Sequence, residues 1–218
     1  MLDEGKPTVV LLLGGSAMDV SEAEARADAV FLAWYPGARG GKAVAELLFG
    51  AATPSGKLPV TFYRNEALSE LPDFTDYSMG NRTYKNYTGT PLYPFGYGLS
   101  YADIRLTGLQ ADRDRAHVTL RNESGFAAEE VVELYVRDGL DRDAPVNGVL
   151  AGFARVRLEA GEERGLDIAI DPQALTVVGE DGVRRPGSGS WTLFAGFGQP
   201  DPRTEALSGQ RCLSVTIK

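Results

Sequence analysis

One cysteine and one histidine are all that this 218-residue chain contains of those two types. A lone Cys212 excludes an internal disulfide, and a lone His117 excludes a multi-histidine metal site. Cys212 opens an apolar terminal segment and reads as a small core filler rather than a nucleophile. Positive charge is short as well. Against 30 acidic side chains stand 22 Lys and Arg, a net charge of −8 that excludes the basic surface nucleic acid requires. A neutral polar ligand meets no such objection. Long apolar runs are missing too, since Val9 to Leu13 is far too short to cross a bilayer. The opening Met1 to Pro7 is polar and acidic, so no signal peptide is expected there. Without secretory context, the sequons at Asn81, Asn86 and Asn122 read as chance matches.

What is present divides into three stretches. In residues 1–62, strand and helix signals alternate. Thr8 to Leu13 is continuously apolar and closed by Gly14-Gly15, the pattern of a strand buried on both faces. Ser21-Glu22-Ala23-Glu24 spells a capping box that opens a short helix toward Ala27. Ala29 to Trp34 reads as a second strand, and Lys42 to Phe49 as a helix with Val44, Leu47 and Leu48 on one face and Gly50 as its stop. Leu58 to Phe62 is expected to be a third strand, with Pro59 at an edge or a strand start. This β-α-β-α-β order implies a parallel sheet with helical crossovers, yet two helices cannot cover both of its faces. The stretch therefore reads as half of a doubly wound domain.

Residues 63–101 show no sustained period but hold nine of the chain's twenty aromatics, too many for a disordered linker. The densest part is Leu92-Tyr93-Pro94-Phe95-Gly96-Tyr97-Gly98-Leu99-Ser100-Tyr101. Proline fixes φ and glycine admits left-handed turns, so this reads as a rigid, sharply shaped connector between two domains. Pro94, Phe95, Tyr97 and Leu99 are expected to pack between them. From residue 102 to 218 the pattern changes to short alternating strands at 104–109, 116–121, 130–136, 149–157, 165–170, 190–197 and 212–217. Seven such strands fit an immunoglobulin-like or fibronectin III-like sandwich.

Chemistry-bearing constellations are few. Glu66, Glu70, Asp73 and Asp76 are the only carboxyl groups in a setting suited to paired acid–base work, and their spacing reads better as solvated loop and turn residues. Gly14-Gly15-Ser16 lacks the P-loop lysine and the fuller dinucleotide glycine pattern, so no cofactor is expected. Ser16 and Ser100 have no histidine partner except His117, which lies in a sandwich strand. Arg82, Tyr84 and Tyr87 are the substrate-binding candidates: Arg82 and Lys85, set among the rings of Tyr84 and Tyr87, can present donors and ring faces to a polar ring, or pair with acidic groups at a domain interface.

A series of motifs resembles, in order and spacing, the C-terminal part of family 3 glycoside hydrolases. It runs from Gly14-Gly15-Ser16-Ala17 through Ala33-Trp34-Tyr35-Pro36-Gly37, Ala43 to Gly50 and Pro54 to Phe62. Asp76-Tyr77-Ser78-Met79, Asn81-Arg82-Thr83-Tyr84 and Pro91 to Tyr101 continue it. Glu129 to Val136, Leu150 to Val156, Leu158 to Glu162 and Trp191 to Gly196 look like that family's fibronectin-like domain. The resemblance implies half of an α/β sandwich joined to a fibronectin III-like domain, in a retaining enzyme acting on terminal β-linked glucosides or xylosides. Phe62-Tyr63-Arg64 with Asp76 to Met79 is shared by xylosidase-like members. In that family the nucleophile belongs to a preceding barrel and the acid/base to a segment before the first strand, so no catalytic residue is expected here. Arg39 stands where the family often has an acidic residue and inverts the local charge. The implied partners are an oligosaccharide or aryl β-glycoside, through the complete enzyme, and a barrel portion or a second copy at the open sheet. A non-catalytic carbohydrate-binding or scaffolding module is the alternative. Either a cytoplasmic or an exported parent fits.

Overall fold

The computed structural model describes residues 5–218; Met1 to Glu4, most of the acidic opening, lie outside the described residues. The chain begins with strand β1 (Val9–Leu12), helix α1 (Ser21–Arg26), strand β2 (Ala29–Leu32) and helix α2 (Gly40–Leu48). β1 and β2 pair in parallel with Val9 opposite Ala29, as the crossover through α1 demands. α1 starts without the expected capping box. Ser21 lies inside the helix, and its N–H and hydroxyl both donate to the Asp19 carboxylate, a stronger acceptor two residues upstream. α2 ends as expected at Gly50, whose φ of +74° only glycine adopts without strain.

Leu58 to Phe62 does not join this sheet as a third strand. It instead runs against the connector, with an isolated antiparallel bridge between Phe62 and Tyr93. The Leu58 N–H donates to the Tyr97 carbonyl at 2.9 Å, and the Gly96 N–H returns to the Leu58 carbonyl at 2.8 Å. Pro59, which has no N–H, interrupts the ladder between the two contacts. A small core forms where the segments meet, with Val20, Phe62 and Leu92 buried and Leu12, Leu32, Trp34 and Tyr93 around them.

Residues 63–101 hold a 3-10 turn (Asn65–Glu70), the one-turn helix α3 (Thr83–Asn86) and the connector. The rings order this stretch: Tyr84 stacks on Phe95 at 4.1 Å, Tyr93 on Tyr97 at 5.3 Å, and Tyr63 meets Tyr87 edge-on. Met79, Asn81 and Thr83 all have φ between +51° and +62°, a strained setting for a β-branched threonine in particular. The Tyr63 hydroxyl accepts the Thr83 N–H and the Arg82 guanidinium holds two carbonyls, which keeps the loop in that shape.

The remainder is a two-sheet sandwich. β3 (Ile104–Ala111), β4 (Arg115–Asn122) and β7 (Glu163–Ala169) form one antiparallel sheet. β5 (Ala128–Arg137), β6 (Val149–Leu158), β10 (Trp191–Gly196) and β11 (Leu213–Ile217) form the other, in the order β11-β10-β5-β6. All seven expected strands are present. β4 shows why: Ala116, Val118, Leu120 and Asn122 point inward while His117, Thr119 and Arg121 point out, the period of two that a half-buried strand requires. The core runs through Val118, Leu120, Val132, Leu134, Leu158 and Leu193. A hairpin of β8 (Thr176–Val178) and β9 (Arg184–Pro186) and the helix α4 (Pro202–Ser208) complete it. Asp201 caps α4 by accepting the Arg203 N–H at 2.7 Å, with Pro202 at the first helical position.

β5 departs from simple alternation: both of its faces are buried between Val132 and Val136. One face lines the sandwich core, and Tyr135 on the other meets Phe95 and Tyr84 edge-on. Polar side chains of the sandwich also grip the connector's backbone. Asn147 donates to the carbonyls of Tyr84 and Tyr87 at 2.9 and 2.8 Å, and Gln199 donates to Tyr84 at 2.8 Å. Arg203 reaches the Leu92 carbonyl and pairs with Glu24 of α1. Of the four connector residues expected between the domains, Pro94 is buried and Phe95 and Tyr97 are half-buried, but Leu99 is 54% exposed. Gly98 beside it gives its carbonyl to Lys57, so that side of the turn carries a polar contact and the leucine faces out.

Candidate functional site

The acidic residues of the loop serve as turn formers. Asp73 accepts the Thr75 N–H at 2.9 Å and its hydroxyl at 2.6 Å; Asp76 accepts the Ser78 N–H at 2.8 Å. These bonds favour the ionised form and hold both carboxyl groups below the usual range, Asp73 through the Thr75 hydroxyl first and Asp76 through the Ser78 amide. Neither can keep a proton to donate near neutrality. Glu66 and Glu70 lie exposed at the two ends of the 3-10 turn. His117 pairs with Asp167 across β4 and β7 at 2.8 Å, on the solvent side of the sandwich. A surface cavity of about 170 Å³ between β3, α4 and Cys212 has no carboxyl group in its lining.

The three binding candidates lie in or beside α3, but their side chains turn to different partners. Arg82 donates to the carbonyls of Pro72 and Asp73, and its Nε is buried without a partner. The Tyr87 ring is buried against Tyr63, and the Tyr84 hydroxyl accepts the Leu150 N–H at 3.3 Å. Burial pushes both phenols up from their ordinary value. The most open rings of residues 63–101 are those of Phe74 and Tyr77, each 86% exposed. No group of three or more His, Cys, Asp or Glu among the described residues could hold a metal.

Sequence reasoning missed the cluster where the connector crosses β5. Lys57 Nζ lies 3.0 Å from Glu130 Oε1 and donates to the Gly98 carbonyl at 2.9 Å, with both side chains almost wholly buried. Glu133 accepts the Tyr135 hydroxyl at 2.8 Å. Burial raises the Glu133 carboxyl to about 7, against the opposing pull of Tyr135 and Lys57. The signal was in the sequence: Glu133 interrupts the apolar run Val131 to Val136 and Glu130 precedes it, where unpaired charge is costly.

Around the parallel sheet the surface is apolar. Val9 and Leu13 are 48% and 61% exposed, and on the flank of α2 Leu48 and Phe49 are 44% and 88% exposed. Tyr35 after β2 is bare as well. Monomers rarely leave apolar patches of this kind uncovered.

Residues 1–101 match the glycosyl hydrolase family 3 C-terminal domain, and residues 130–198 match a fibronectin type III-like domain. A xylan 1,4-β-xylosidase of Xylanibacter ruminicola is 35% identical over 211 residues, which cover 94% of this chain and 24% of the relative. A periplasmic β-glucosidase of Salmonella typhimurium is 32% identical, covering 88% of this chain and 28% of the relative. Among solved structures, the β-glucosidase DesR of Streptomyces venezuelae, in complex with D-glucose, superimposes with a TM-score of 0.82 at 27% identity. That match covers all of this chain and 30% of DesR. The chain thus spans about a quarter of the length of the curated relatives it matches.

Proposed function

Because the chain belongs to the C-terminal region of glycosyl hydrolase family 3, we propose that it serves a retaining, exo-acting β-glycosidase, a β-glucosidase or β-xylosidase, whose nucleophile and acid/base lie outside these 218 residues. The observation that carries this reading is the two-stranded parallel sheet with its apolar surroundings left open. A parallel sheet is normally covered on both faces, and this one presents Val9, Leu11 and Leu13 to solvent. The partner is the complementary catalytic portion, which would seat against residues 8–34 and α2; without it, the same surface draws two copies together. The division at residues 62 and 101 follows from the same reading, with 1–62 as the half-sandwich, 63–101 as the connector loop and 102–218 as the fibronectin III-like domain.

Within this reading Arg82, Tyr84 and Tyr87 contribute to sugar binding through the loop they brace, and the rings a sugar would meet are those of Phe74 and Tyr77. Both carboxyl groups that a glycosidase places across the scissile bond must come from the catalytic portion. The test is turnover of aryl β-glucosides and β-xylosides by the rigorously purified chain. No hydrolysis is expected alone, and hydrolysis is expected on adding the catalytic portion of a relative. Turnover by the chain alone at about 1–10³ per second would overturn the reading. Sedimentation gives a second readout: a stable, dilute monomer would refute the open-sheet argument.

A further inference from the structure

The joint between the connector and β5 buries one ammonium and two carboxyl groups. Lys57 is committed to Glu130 at 3.0 Å and to the Gly98 carbonyl, over the face of the Phe197 ring. Glu133 faces the connector from β5 and is 5% exposed. Gly96 presses so closely on it that a Cβ there would overlap the Glu133 carboxyl and meet the Tyr135 hydroxyl at 2.5 Å. Tyr84 from α3 and Cys212 from the segment before β11 complete the charged and titratable surroundings. Among the described residues the enclosure therefore has one positive charge for two acids, and that cation, Lys57, is already held by Glu130 when a second negative charge appears at Glu133.

We propose that Glu133 stores a proton that keeps the connector seated against β5, and that releasing this proton loosens the joint between the two domains.

Several observations converge on this. Both β5 and the connector are pinned on either side of the carboxyl group, the first by its ladders to β6 and β10 and the second by the paired bonds between Leu58 and Gly96-Tyr97. A newly ionised Glu133 thus cannot swing out to water without parting the two. Tyr135 and Cys212 do not share the titration. Burial pushes Tyr135 well above its ordinary value and Cys212 to about 12, and Glu133 itself adds to both effects. Glu133, raised to about 7, is left to change charge near neutrality. The direction follows from linkage. The folded state binds the proton more tightly than the unfolded chain, whose glutamates titrate near 4.3, so stability falls as pH rises from about 4.5 to about 7 and stays at the lower level above that.

The experiment uses the 218-residue chain between pH 5 and 9. Infrared difference titration should show a protonated-carboxyl C=O band that disappears with a midpoint near 7 and is absent from Glu133→Gln. Amide exchange, corrected for its intrinsic pH dependence, should lose protection at Gly96 and Gln199 by at least about tenfold across that midpoint, and Glu133→Gln should show no such step. Lys57→Met removes the cation that acts on Glu133 and should move the midpoint upward; it keeps the question decidable if Glu133→Gln does not fold. Absence of a titrating acid band near neutrality would overturn the proposal. So would an exchange step that survives Glu133→Gln, or a midpoint unmoved by Lys57→Met.

Discussion

Adding a single methyl group at Gly96 probes the domain joint directly. Gly96 has a φ of +77°, so alanine there carries left-handed strain of about 1–2 kcal/mol. The new Cβ would also displace the Glu133 carboxyl group and press on the Tyr135 hydroxyl. The two share a buried hydrogen bond of 2.8 Å, and leaving either unsatisfied costs about 1–3 kcal/mol. Gly96→Ala should therefore lose about 2–5 kcal/mol of stability. Gly50 supplies the control, with a φ of +74° and nothing within 4 Å of its Cβ position. Gly50→Ala should show the strain alone, about 1–2 kcal/mol. Urea unfolding measures both, compared at equal m-values. A Glu133→Ala background completes the cycle: there the Gly96→Ala loss should shrink toward the Gly50 level, because the nearer obstruction, the carboxyl group, is gone and only the Tyr135 hydroxyl is left in the way. Equal losses at Gly96 and Gly50 in the parent chain, within about 0.5 kcal/mol, would refute the claim that the connector is pressed against β5 at this point.

Leu92 is fully enclosed in the small core shared by the half-sandwich and the connector, so Leu92→Ala should cost about 2–5 kcal/mol in the same assay. Phe95 is half-buried against Tyr84, and Phe95→Ala should fall short of the about 3–5 kcal/mol expected for an enclosed ring. The Cys212 thiol, raised to about 12 by burial, should resist alkylation at pH 8 in the folded chain and react at once in denaturant; rapid labelling of native protein would contradict its placement. His117→Ala should change stability by less than about 0.5 kcal/mol, because its pairing with Asp167 lies at the surface.

The sandwich was readable because strands such as β4 repeat one decision, apolar in and polar out, which β4 keeps from Ala116 to Arg121. The expectation for Leu58 to Phe62 failed because a short run carrying Val60, Thr61 and Phe62 looks alike whether it pairs with a sheet or with a loop. Its actual partner, Tyr93 to Tyr97, is thirty-odd residues away and is identified by backbone bonds that no side-chain pattern announces. α1 was located correctly but capped wrongly, since Asp19 is a better acceptor than the serine beside it. α4 carried a readable signal in Asp201-Pro202. The three binding candidates Arg82, Tyr84 and Tyr87 were chosen by residue type, and type does not say which way a ring points. The Lys57, Glu130 and Glu133 cluster brings together residues more than seventy positions apart, so only the anomaly of acids in an apolar strand hinted at it.

The grip of Asn147, Gln199 and Arg203 on the connector has a consequence for exchanging parts between relatives. All three side chains address carbonyl oxygens, at Leu92, Tyr84 and Tyr87, and every amino acid supplies the same oxygen. What the sandwich recognises there is a path through space rather than a set of letters. A chimaera that grafts a foreign connector onto this sandwich will dock if its chain length from residue 84 to residue 92 is kept, however much its side chains differ at the gripped positions. A graft one residue longer slides those oxygens out of register together, and loses the joint even when every aromatic is retained.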